Sequence, residues 1–264
     1  MSDNNEKSDS SEELKRRHSS EEDFHDNKYS NKNTSPKHYQ YNPTFMIFKR
    51  MRDMVSDRSP EGKFILEYGC GSGWMTAELA ALGAKVYSFD ISDQAVEETK
   101  QFLENNNLLS LCSINKMAAE SLEYNDNEFD IIFGFAILHH LDIKLSIGEL
   151  YRVMKPGGVA YFAEPLEGNP FLWLYRKLTP NYRTPDEKPI VIEEFKLLID
   201  DFSQFEHEEY YLTALFAFVL IYLPYVSKYY DAVSRSLQKL DRKLLKIFPA
   251  LGKFAWYSIF TIRK

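Results

Sequence analysis

Cysteines and long apolar runs are scarce in this chain of 264 residues. Two cysteines, Cys70 and Cys112, are too few for a disulfide framework and are typical of a reduced, cytoplasmic protein. The apolar stretch at 212–226 has fifteen residues, fewer than the roughly twenty that cross a bilayer. The first residues are polar throughout, so no signal peptide is expected.

An excess of positive charge is also missing. The net charge of −7 removes the general electrostatic reason to expect nucleic acid binding. Residues 1–20 contain only two large aliphatic or sulfur side chains, Met1 and Leu14, and are predicted to be a disordered polar tail. Residues 21–60 are predicted to form a helical lid segment. Residues 61–264 suit a single domain, because 44% hydrophobic residues can bury a sizeable core.

Glycine is sparse as well, yet three glycines lie within residues 69–73. They follow a short apolar run at 64–68, which predicts a buried parallel strand, and precede good helix sequence that begins at Trp74. A second predicted strand ends at Asp90. A glycine turn between a strand and a helix presents free backbone N–H groups and the positive end of the helix dipole. The pattern therefore predicts a ligand site at the carboxyl edge of a parallel sheet.

Two acids narrow the choice of ligand. Asp90 lies nineteen residues after Gly71, where a carboxylate accepts hydrogen bonds from both hydroxyls of a ribose. Glu67, two residues before the first glycine, repels a phosphate but attracts an ammonium group. Trp74 replaces the third glycine of the dinucleotide-binding motif. A ligand with adenosine at one end and an amino acid at the other satisfies both acids, and that ligand is S-adenosylmethionine.

The motif E-Y-G-C-G-S-G at 67–73, with Asp90 downstream, resembles the first two motifs of the class I S-adenosylmethionine-dependent methyltransferases. Three further segments resemble the fourth strand, the following loop and the turn into the fifth strand of the small-molecule, type 11 branch: 128–132, 136–141 and 150–158. The likeness covers about residues 63–166. It implies an α/β fold with a Rossmann-like, doubly wound sheet of seven strands.

The resemblance also implies a set of cofactor-binding residues. Glu67 is expected to hold the methionine amino group, directly or through water, and Asp90 to hold the ribose. Ile91 is expected to pack on the adenine. Three glycines are expected to let the backbone approach the cofactor: Gly69, Gly71 and Gly73.

The adenine end departs from the family. Relatives commonly carry an acid after the third strand that bonds the adenine amino group, but counting back from Phe129 puts Ala118 there. Ala119 or Glu120 is then expected to bind the adenine instead, through a backbone N–H or the carboxylate. Phe135, at the end of the predicted fourth strand, completes the predicted cofactor-binding set.

His139 and His140 follow the fourth strand, where the methyl group meets its acceptor in this fold. A histidine there takes a proton from an attacking hydroxyl or orients the acceptor, whereas the alternative is a cap or a bond to a backbone carbonyl. We predict a site role for at least one, with His140 ahead. Glu164, at the end of the fifth strand, is predicted to be a base or a supporting acid facing the acceptor. Two histidines lack a third ligand, so no metal site is predicted.

The last third departs from the common fold. The last two strands normally join through a short turn, but about forty residues separate the predicted strands 205–212 and 254–262, with a helical insertion at 213–252. Residues 228–264 contain nine basic and two acidic side chains. One interpretation is peripheral contact with an anionic membrane. The other is a helical cap over the acceptor pocket or in a homodimer interface. Both imply a hydrophobic acceptor, such as a lipid, an isoprenoid or a quinone-like molecule.

The segment before the first strand folds over the cofactor in many relatives. Tyr39 and Tyr41 are interpreted here as packing residues rather than as such a lid, and His25 as a surface or capping residue. A helix is predicted over 43–54.

The sequence thus predicts a methyltransferase acting on a small molecule. Three alternatives stay open: methyl transfer to carbon coupled to a rearrangement, a non-catalytic adaptor that retains the fold, and a nicotinamide-dependent oxidoreductase. Trp74 and Glu67 disfavour the oxidoreductase, and the intact acids and glycines disfavour the adaptor.

Overall fold

A seven-stranded sheet forms the centre of the protein. The computed structural model describes the backbone of residues 2–30, 45–223 and 225–264, and the side chains of 11–29, 46–223 and 225–264. The strands are β1 (Phe64–Tyr68), β2 (Lys85–Asp90), β3 (Cys112–Lys116), β4 (Phe129–Phe135), β5 (Met154–Pro165), β6 (Gln204–Tyr210) and β7 (Tyr257–Arg263). The helices are α1 (Ser2–Ser30), α2 (Phe45–Ser56), α3 (Trp74–Ala81), α4 (Asp93–Asn105), α5 (Ile143–Val153), α6 (Pro170–Leu178), α7 (Ile192–Leu198) and α8 (Tyr230–Ile247).

The strand order is β3-β2-β1-β4-β5-β7-β6. Strands β1 to β5 run parallel, and β7 pairs antiparallel with both β5 and β6. The chain moves outward from β1 to β3 and then returns to β4 on the other side of β1. Ligands bind in open α/β sheets at such a reversal, at the carboxyl ends of the strands. The predicted doubly wound fold is confirmed.

Helices cover both faces of the sheet. Ile65 and Leu66 are adjacent on β1 and completely buried, but they belong to two separate hydrophobic clusters because successive strand residues point to opposite faces. One cluster takes Ile47 and Met51 from α2, and the other takes Leu150 from α5. Burying such a side chain contributes about 1.5–3 kcal/mol, so these faces stabilise the frame that carries the site.

Two element boundaries differ from the prediction. Strand β5 begins at Met154, within the segment 150–158 that was predicted to be the turn before it, because Met154 already pairs with Phe129 before the register shifts. The register shift leaves extra residues on β5 between Met154 and Val159. Gly157, with φ +78°, is one of them. Strand β6 ends at Tyr210 rather than at the predicted residue 212.

The predicted disorder of residues 1–20 is wrong for the described part of this segment, because α1 is helical. Its polar side chains bind distant parts of the domain: Arg17 Nε donates to the carbonyl of His140 at 3.0 Å, and Lys116 Nζ pairs with Glu22. Composition does not reveal such long-range polar contacts. The packing predicted for Tyr39 and Tyr41 lies outside the described residues, as does the predicted start of the helix at Pro43.

The segment between β6 and β7 contains a 3₁₀ helix at Ala214–Tyr222, followed by α8. Asp241 of α8 holds the start of the 3₁₀ helix, since its carboxylate accepts the backbone N–H groups of Leu212, Thr213 and Ala214 at 2.8–3.1 Å. Among the residues that the structure describes, no helix combines the length and the hydropathy needed to span a membrane.

Candidate functional site

The glycine turn joins β1 to α3 at the reversal of the sheet. Gly69, Gly71 and Gly73 have φ angles of +75°, +53° and +77°, a left-handed conformation that favours glycine. The N–H of Cys70 donates to the carbonyl of Phe89 on β2 at 2.9 Å, which fixes the turn against the neighbouring strand. Gly69 and Gly71 line a cavity of about 820 Å³.

Gly73 has a different role from the one predicted. A Cβ atom at this position would lie 2.9 Å from Cα of Thr99 on α4, a distance that real Cβ atoms essentially never show. Gly73 therefore permits close packing between the start of α3 and α4. Gly73 is not among the residues that line the cavity, so its predicted role in letting the backbone approach the cofactor stays a prediction.

Asp90 lies at the end of β2 and on the cavity wall. Its Oδ2 accepts the N–H of Gly71 at 3.0 Å and its Oδ1 accepts the N–H of Ser92 at 3.1 Å. Each carboxylate oxygen has two lone pairs, so both oxygens can still accept a hydroxyl. The two backbone bonds hold the carboxylate in a fixed position beside the glycine turn.

Glu67 lies at the other end of this wall and is 2% exposed. Its Oε2 accepts the hydroxyls of Thr76 at 2.6 Å and Ser88 at 2.7 Å. Burial raises the pKa of Glu67 to about 7, although the two hydroxyl bonds act in the opposite direction. A cationic group in the cavity would favour its charged form.

The predicted adenine-binding residues Ile91, Ala119 and Glu120 also line the cavity, as does Phe135, the remaining residue of the predicted cofactor-binding set. The Glu120 carboxylate is already engaged: Oε1 accepts the N–H of Asp142 at 2.8 Å, and Oε2 lies 3.1 Å from a ring nitrogen of His18. Its carboxylate thus fixes the loop after β4, while Ala119 presents a small apolar surface.

The donor set fits S-adenosylmethionine. Glu67 provides a carboxylate for the ammonium group, Asp90 a fixed acceptor for the ribose diol, and Ile91 an apolar surface for the ring. Gly71 in the turn leaves room for the Tyr29 hydroxyl, since a Cβ atom at this position would lie 2.9 Å from it.

His139 and Glu164 form a buried pair. Nδ1 of His139 lies 2.7 Å from Oε2 of Glu164, while Oε1 of Glu164 accepts the N–H groups of Ile137 and Leu138 at 3.0 and 2.9 Å. Burial lowers the pKa of His139 to about 4 and raises that of Glu164 to about 7. Because a carboxylate is the natural acceptor for an Nδ1–H group, this arrangement leaves Nε2 of the neutral imidazole as the acceptor.

Glu164 does not face the acceptor space, contrary to expectation. Its side chain is completely buried, and only the histidine that it holds lines the cavity.

His140 lines the cavity beside His139, with the two ring centroids 4.2 Å apart. Its Nδ1 lies 3.2 Å from Oε2 of Glu21 and 3.5 Å from the Thr184 hydroxyl. Burial lowers the pKa of His140. Burial would raise the pKa of Glu21, but its contacts with the surrounding imidazoles hold that pKa well below its usual range.

Residues 21–30 of α1 lie in the predicted helical lid segment, but no site residue was predicted among them. Glu21, His25, Lys28 and Tyr29 line the cavity, so the interpretation of His25 as a surface or capping residue is wrong. The helical spacing of these residues was the available signal, because positions four apart share one face. The polar composition of the segment masked it.

Thr184 explains part of an otherwise unassigned run, R-T-P-D-E at 183–187, because its hydroxyl donates to Glu21. Asp186 pairs with Arg16 at 3.1 Å, and Glu187 lines the cavity. This run therefore secures α1 over the site.

The far part of the cavity is apolar and aromatic. Its lining residues come from α6, the 3₁₀ helix and the start of β7: Phe171, Leu172, Tyr175, Leu215, Phe216, Phe218, Val219, Tyr222, Trp256 and Tyr257. The wall formed by Glu67, the glycine turn and Asp90 and this aromatic wall belong to one continuous cavity. His139 and His140 also line it.

Residues 66–162 match the family described as a methyltransferase domain. The ubiquinone biosynthesis O-methyltransferase of Bartonella tribocorum is 30% identical over 133 residues, which cover 47% of this chain and 53% of that protein. The demethylmenaquinone methyltransferase of Chlorobaculum tepidum is 29% identical over 120 residues, which cover 45% and 46%. The chain thus spans about half the length of these relatives.

Among solved structures, phosphoethanolamine N-methyltransferase 2 of Haemonchus contortus, in complex with phosphomonomethylethanolamine and S-adenosylhomocysteine, has a TM-score of 0.58 at 16% identity. The similarity covers 81% of this chain and 52% of that chain, and at this identity it shows a shared fold.

The sheet has the strand order of the class I methyltransferase fold, and residues 66–162, less than half of the chain, match a methyltransferase domain of the type 11 branch. The fold predicted from the motifs is confirmed, and the match agrees with the predicted branch and with S-adenosylmethionine as the cofactor class.

Proposed function

We propose that this chain is an S-adenosylmethionine-dependent methyltransferase that acts on a small hydrophobic acceptor: a lipid, an isoprenoid or a quinone-like molecule. The observation that carries the proposal is the continuity of the cavity, which joins Asp90 and the glycine turn to an aromatic wall. A non-catalytic adaptor would need neither Glu67 and Asp90 nor an aromatic cavity wall beside them.

The bound cofactor supplies a methyl group activated on a sulfonium. The chain then has to align an acceptor and exclude water, which is the main catalytic requirement for such a displacement. Glu67 and Asp90 hold the two ends of the cofactor. The helix α1 covers the cavity with His25 and Tyr29, which shields it from solvent.

His139 is the proposed base for a hydroxyl acceptor. Its lowered pKa keeps the imidazole unprotonated at neutral pH, so that Nε2 can accept a proton. Glu164 then stabilises the resulting imidazolium through Nδ1, as a carboxylate does for histidine in a catalytic triad. This assignment places His139 ahead of His140, whose Nδ1 is directed at Glu21.

The aromatic wall supports the acceptor class. Phe216 and Val219 of the 3₁₀ helix line the cavity and are also 48% and 57% exposed, so an apolar chain can extend from the cavity to the surface. The names of two relatives refer to ubiquinone and demethylmenaquinone, which is consistent with a prenylated acceptor.

We further propose that α8 docks the protein on an anionic membrane, from which such an acceptor is taken. The helix buries a polar stripe, Ser234, Gln238 and Asp241, against the protein. An apolar stripe stays half-buried or exposed: Val233, Leu237, Leu240, Leu244, Ile247 and Phe248. Basic residues lie mainly on the opposite side: Arg235, Lys239, Arg242, Lys243 and Lys246. An apolar face combined with basic residues is typical of helices that lie in the membrane interface.

The acceptor proposal is tested with methyl-labelled S-adenosylmethionine and three acceptors: a prenylated hydroxyquinol, the same ring without its prenyl chain, and phosphoethanolamine. We expect label in the prenylated product and far less in the other two. Asp90→Ala should abolish transfer, whereas His207→Gln, on β6, should retain it. Preferential methylation of phosphoethanolamine would overturn the hydrophobic acceptor.

A further inference from the structure

Three ligand-type atoms converge on one point at the edge of the cavity. Oε2 of Glu21 lies 3.2 Å from Nδ1 of His140 and 3.5 Å from Nε2 of His25, and all three atoms lie within 4.8 Å of one another. Glu21 and His25 are four residues apart on α1 and therefore share one face of that helix. His140 comes from the loop after β4, so two separate elements supply the cluster.

The Glu21 carboxylate is only half satisfied. Its side chain is 5% exposed, and Oε1 accepts the Thr184 hydroxyl. Oε2, by contrast, is buried and accepts no hydrogen bond, although the two imidazole nitrogens lie 3.2 and 3.5 Å from it. A buried carboxylate oxygen without a partner carries a large desolvation cost. An additional positive charge between these three atoms would remove that cost.

We propose that Glu21, His25 and His140 bind a divalent transition metal ion of the zinc type. Zinc binds histidine nitrogen and carboxylate oxygen at about 2.0–2.2 Å, and tetrahedral angles then separate its ligands by roughly 3.4 Å. The two short separations, 3.2 and 3.5 Å, bracket that value. Three protein ligands leave the fourth position open, as in catalytic rather than structural zinc sites.

A second triad, His139, His140 and Glu187, lies nearby and shares His140. We favour the first triad because Nδ1 of His139 is already committed to Glu164 at 2.7 Å. The prediction that two histidines lack a third ligand rested on the loop after β4 alone, and α1 now supplies two more ligands.

The ion would fasten α1 to the loop after β4 and so close the helix over the cofactor part of the cavity. All three ligands line the cavity in which we place the acceptor, so the open position would bind an acceptor oxygen. This last consequence rests on the proposed function, whereas metal binding itself does not.

The test uses the full-length protein, stripped of metal with a chelator and titrated calorimetrically with Zn²⁺. We expect one ion per chain and at least tenfold weaker binding after Glu21→Gln, His25→Gln or His140→Gln. His207→Gln, on β6, serves as the matched control and should bind like the wild type. Circular dichroism checks that each variant folds.

Co²⁺ binding to the wild type gives a second readout that needs no variant, because visible absorption bands report tetrahedral ligation. Absence of a bound ion, or unchanged binding in all three variants, would overturn the proposal. Loss of Zn²⁺ binding only in His139→Gln and Glu187→Gln would also overturn it, because the ion would then be bound by the second triad. Titration of the stripped protein with S-adenosylhomocysteine tests the cofactor site independently, so the two proposals fail separately.

Discussion

Glu67 and Asp90 are both acids at the carboxyl edge of the sheet, but their surroundings give them different properties. Asp90 accepts two backbone N–H groups and lies on the cavity wall, whereas Glu67 is buried among hydroxyls. Burial raises the pKa of Glu67 to about 7, so a fraction of the free protein carries a proton there near neutral pH.

Cofactor binding should therefore release a proton. The ammonium group of the ligand favours the charged carboxylate and lowers the pKa of Glu67, so affinity should rise with pH and level off above about 7. Titration with S-adenosylhomocysteine near pH 6, in buffers of different ionisation enthalpy, counts the protons released. Glu67→Gln should eliminate the release and the surface variant Glu123→Gln should not. Equal release from both variants would show that another group titrates.

Gly73 provides a second residue-scale test, with Gly62 as a matched control. Both glycines have a left-handed φ, +77° and +72°, but only Gly73 faces a backbone atom at 2.9 Å. Gly62→Ala should cost about 1–2 kcal/mol from conformation alone. Gly73→Ala should cost more, by roughly 1–3 kcal/mol of overpacking against Thr99. Urea denaturation measures both, and equal losses would contradict the packing role.

At the residue scale, the local sequence predicts which side chains belong to the site better than it predicts which residues they contact. The glycine turn and both acids were predictable, because their spacing along one strand–turn–helix unit fixes their geometry. The packing of Gly73 against α4 and the bond from Glu164 to His139 were not, since they depend on how separate elements approach each other.

At the scale of elements, α8 is the helix whose surface is hardest to explain by packing alone. Three of its four buried residues are polar, Ser234, Gln238 and Asp241, while Ile247 and Phe248 remain 65% and 56% exposed. Contiguous exposed apolar surface of this kind usually marks an interaction site.

A vesicle sedimentation experiment tests the membrane proposal. The wild type should bind vesicles that contain anionic phospholipid more strongly than zwitterionic ones, and binding should weaken with salt. The double variant Leu240→Glu, Ile247→Glu should lose binding, whereas Leu197→Glu, on α7 at a position 79% exposed, should not. Unchanged binding of the double variant would refute membrane docking, and a dimer that this variant dissociates would assign the stripe to a dimer interface.

Elements were predictable to different degrees. Strand β4 ends at the predicted Phe135, because Asp130 is the one polar side chain in an otherwise apolar strand. The part of α1 before residue 21 was not predicted as a helix, since several of its contacts are with residues more than a hundred positions away, such as Glu120 and His140.

At the scale of the whole molecule, α1 makes cofactor binding a property of two distant parts of the chain. Asp26 accepts the hydroxyl of Ser92 and the N–H of Gln94 at the start of α4, immediately after the cofactor-type strand β2. Tyr29 lies over the glycine turn. The helix therefore covers the site through contacts that the bound cofactor should reinforce.

Hydrogen exchange followed by mass spectrometry measures this coupling. Amides of residues 11–29 should exchange more slowly when S-adenosylhomocysteine is bound, whereas those of α7, remote from the cavity lining, should not change. If the ligand leaves the exchange rates of residues 11–29 unchanged, α1 does not act as a cover over the bound cofactor.

The most direct measurement is calorimetric titration of the wild type and Asp90→Ala with S-adenosylhomocysteine, which needs no acceptor. The account predicts one site per chain with micromolar affinity in the wild type and at least a tenfold loss in the variant, because Asp90 supplies the fixed acceptor for the ribose hydroxyls. Absence of binding by the folded wild type would contradict the methyltransferase function and favour a scaffold that retains the fold.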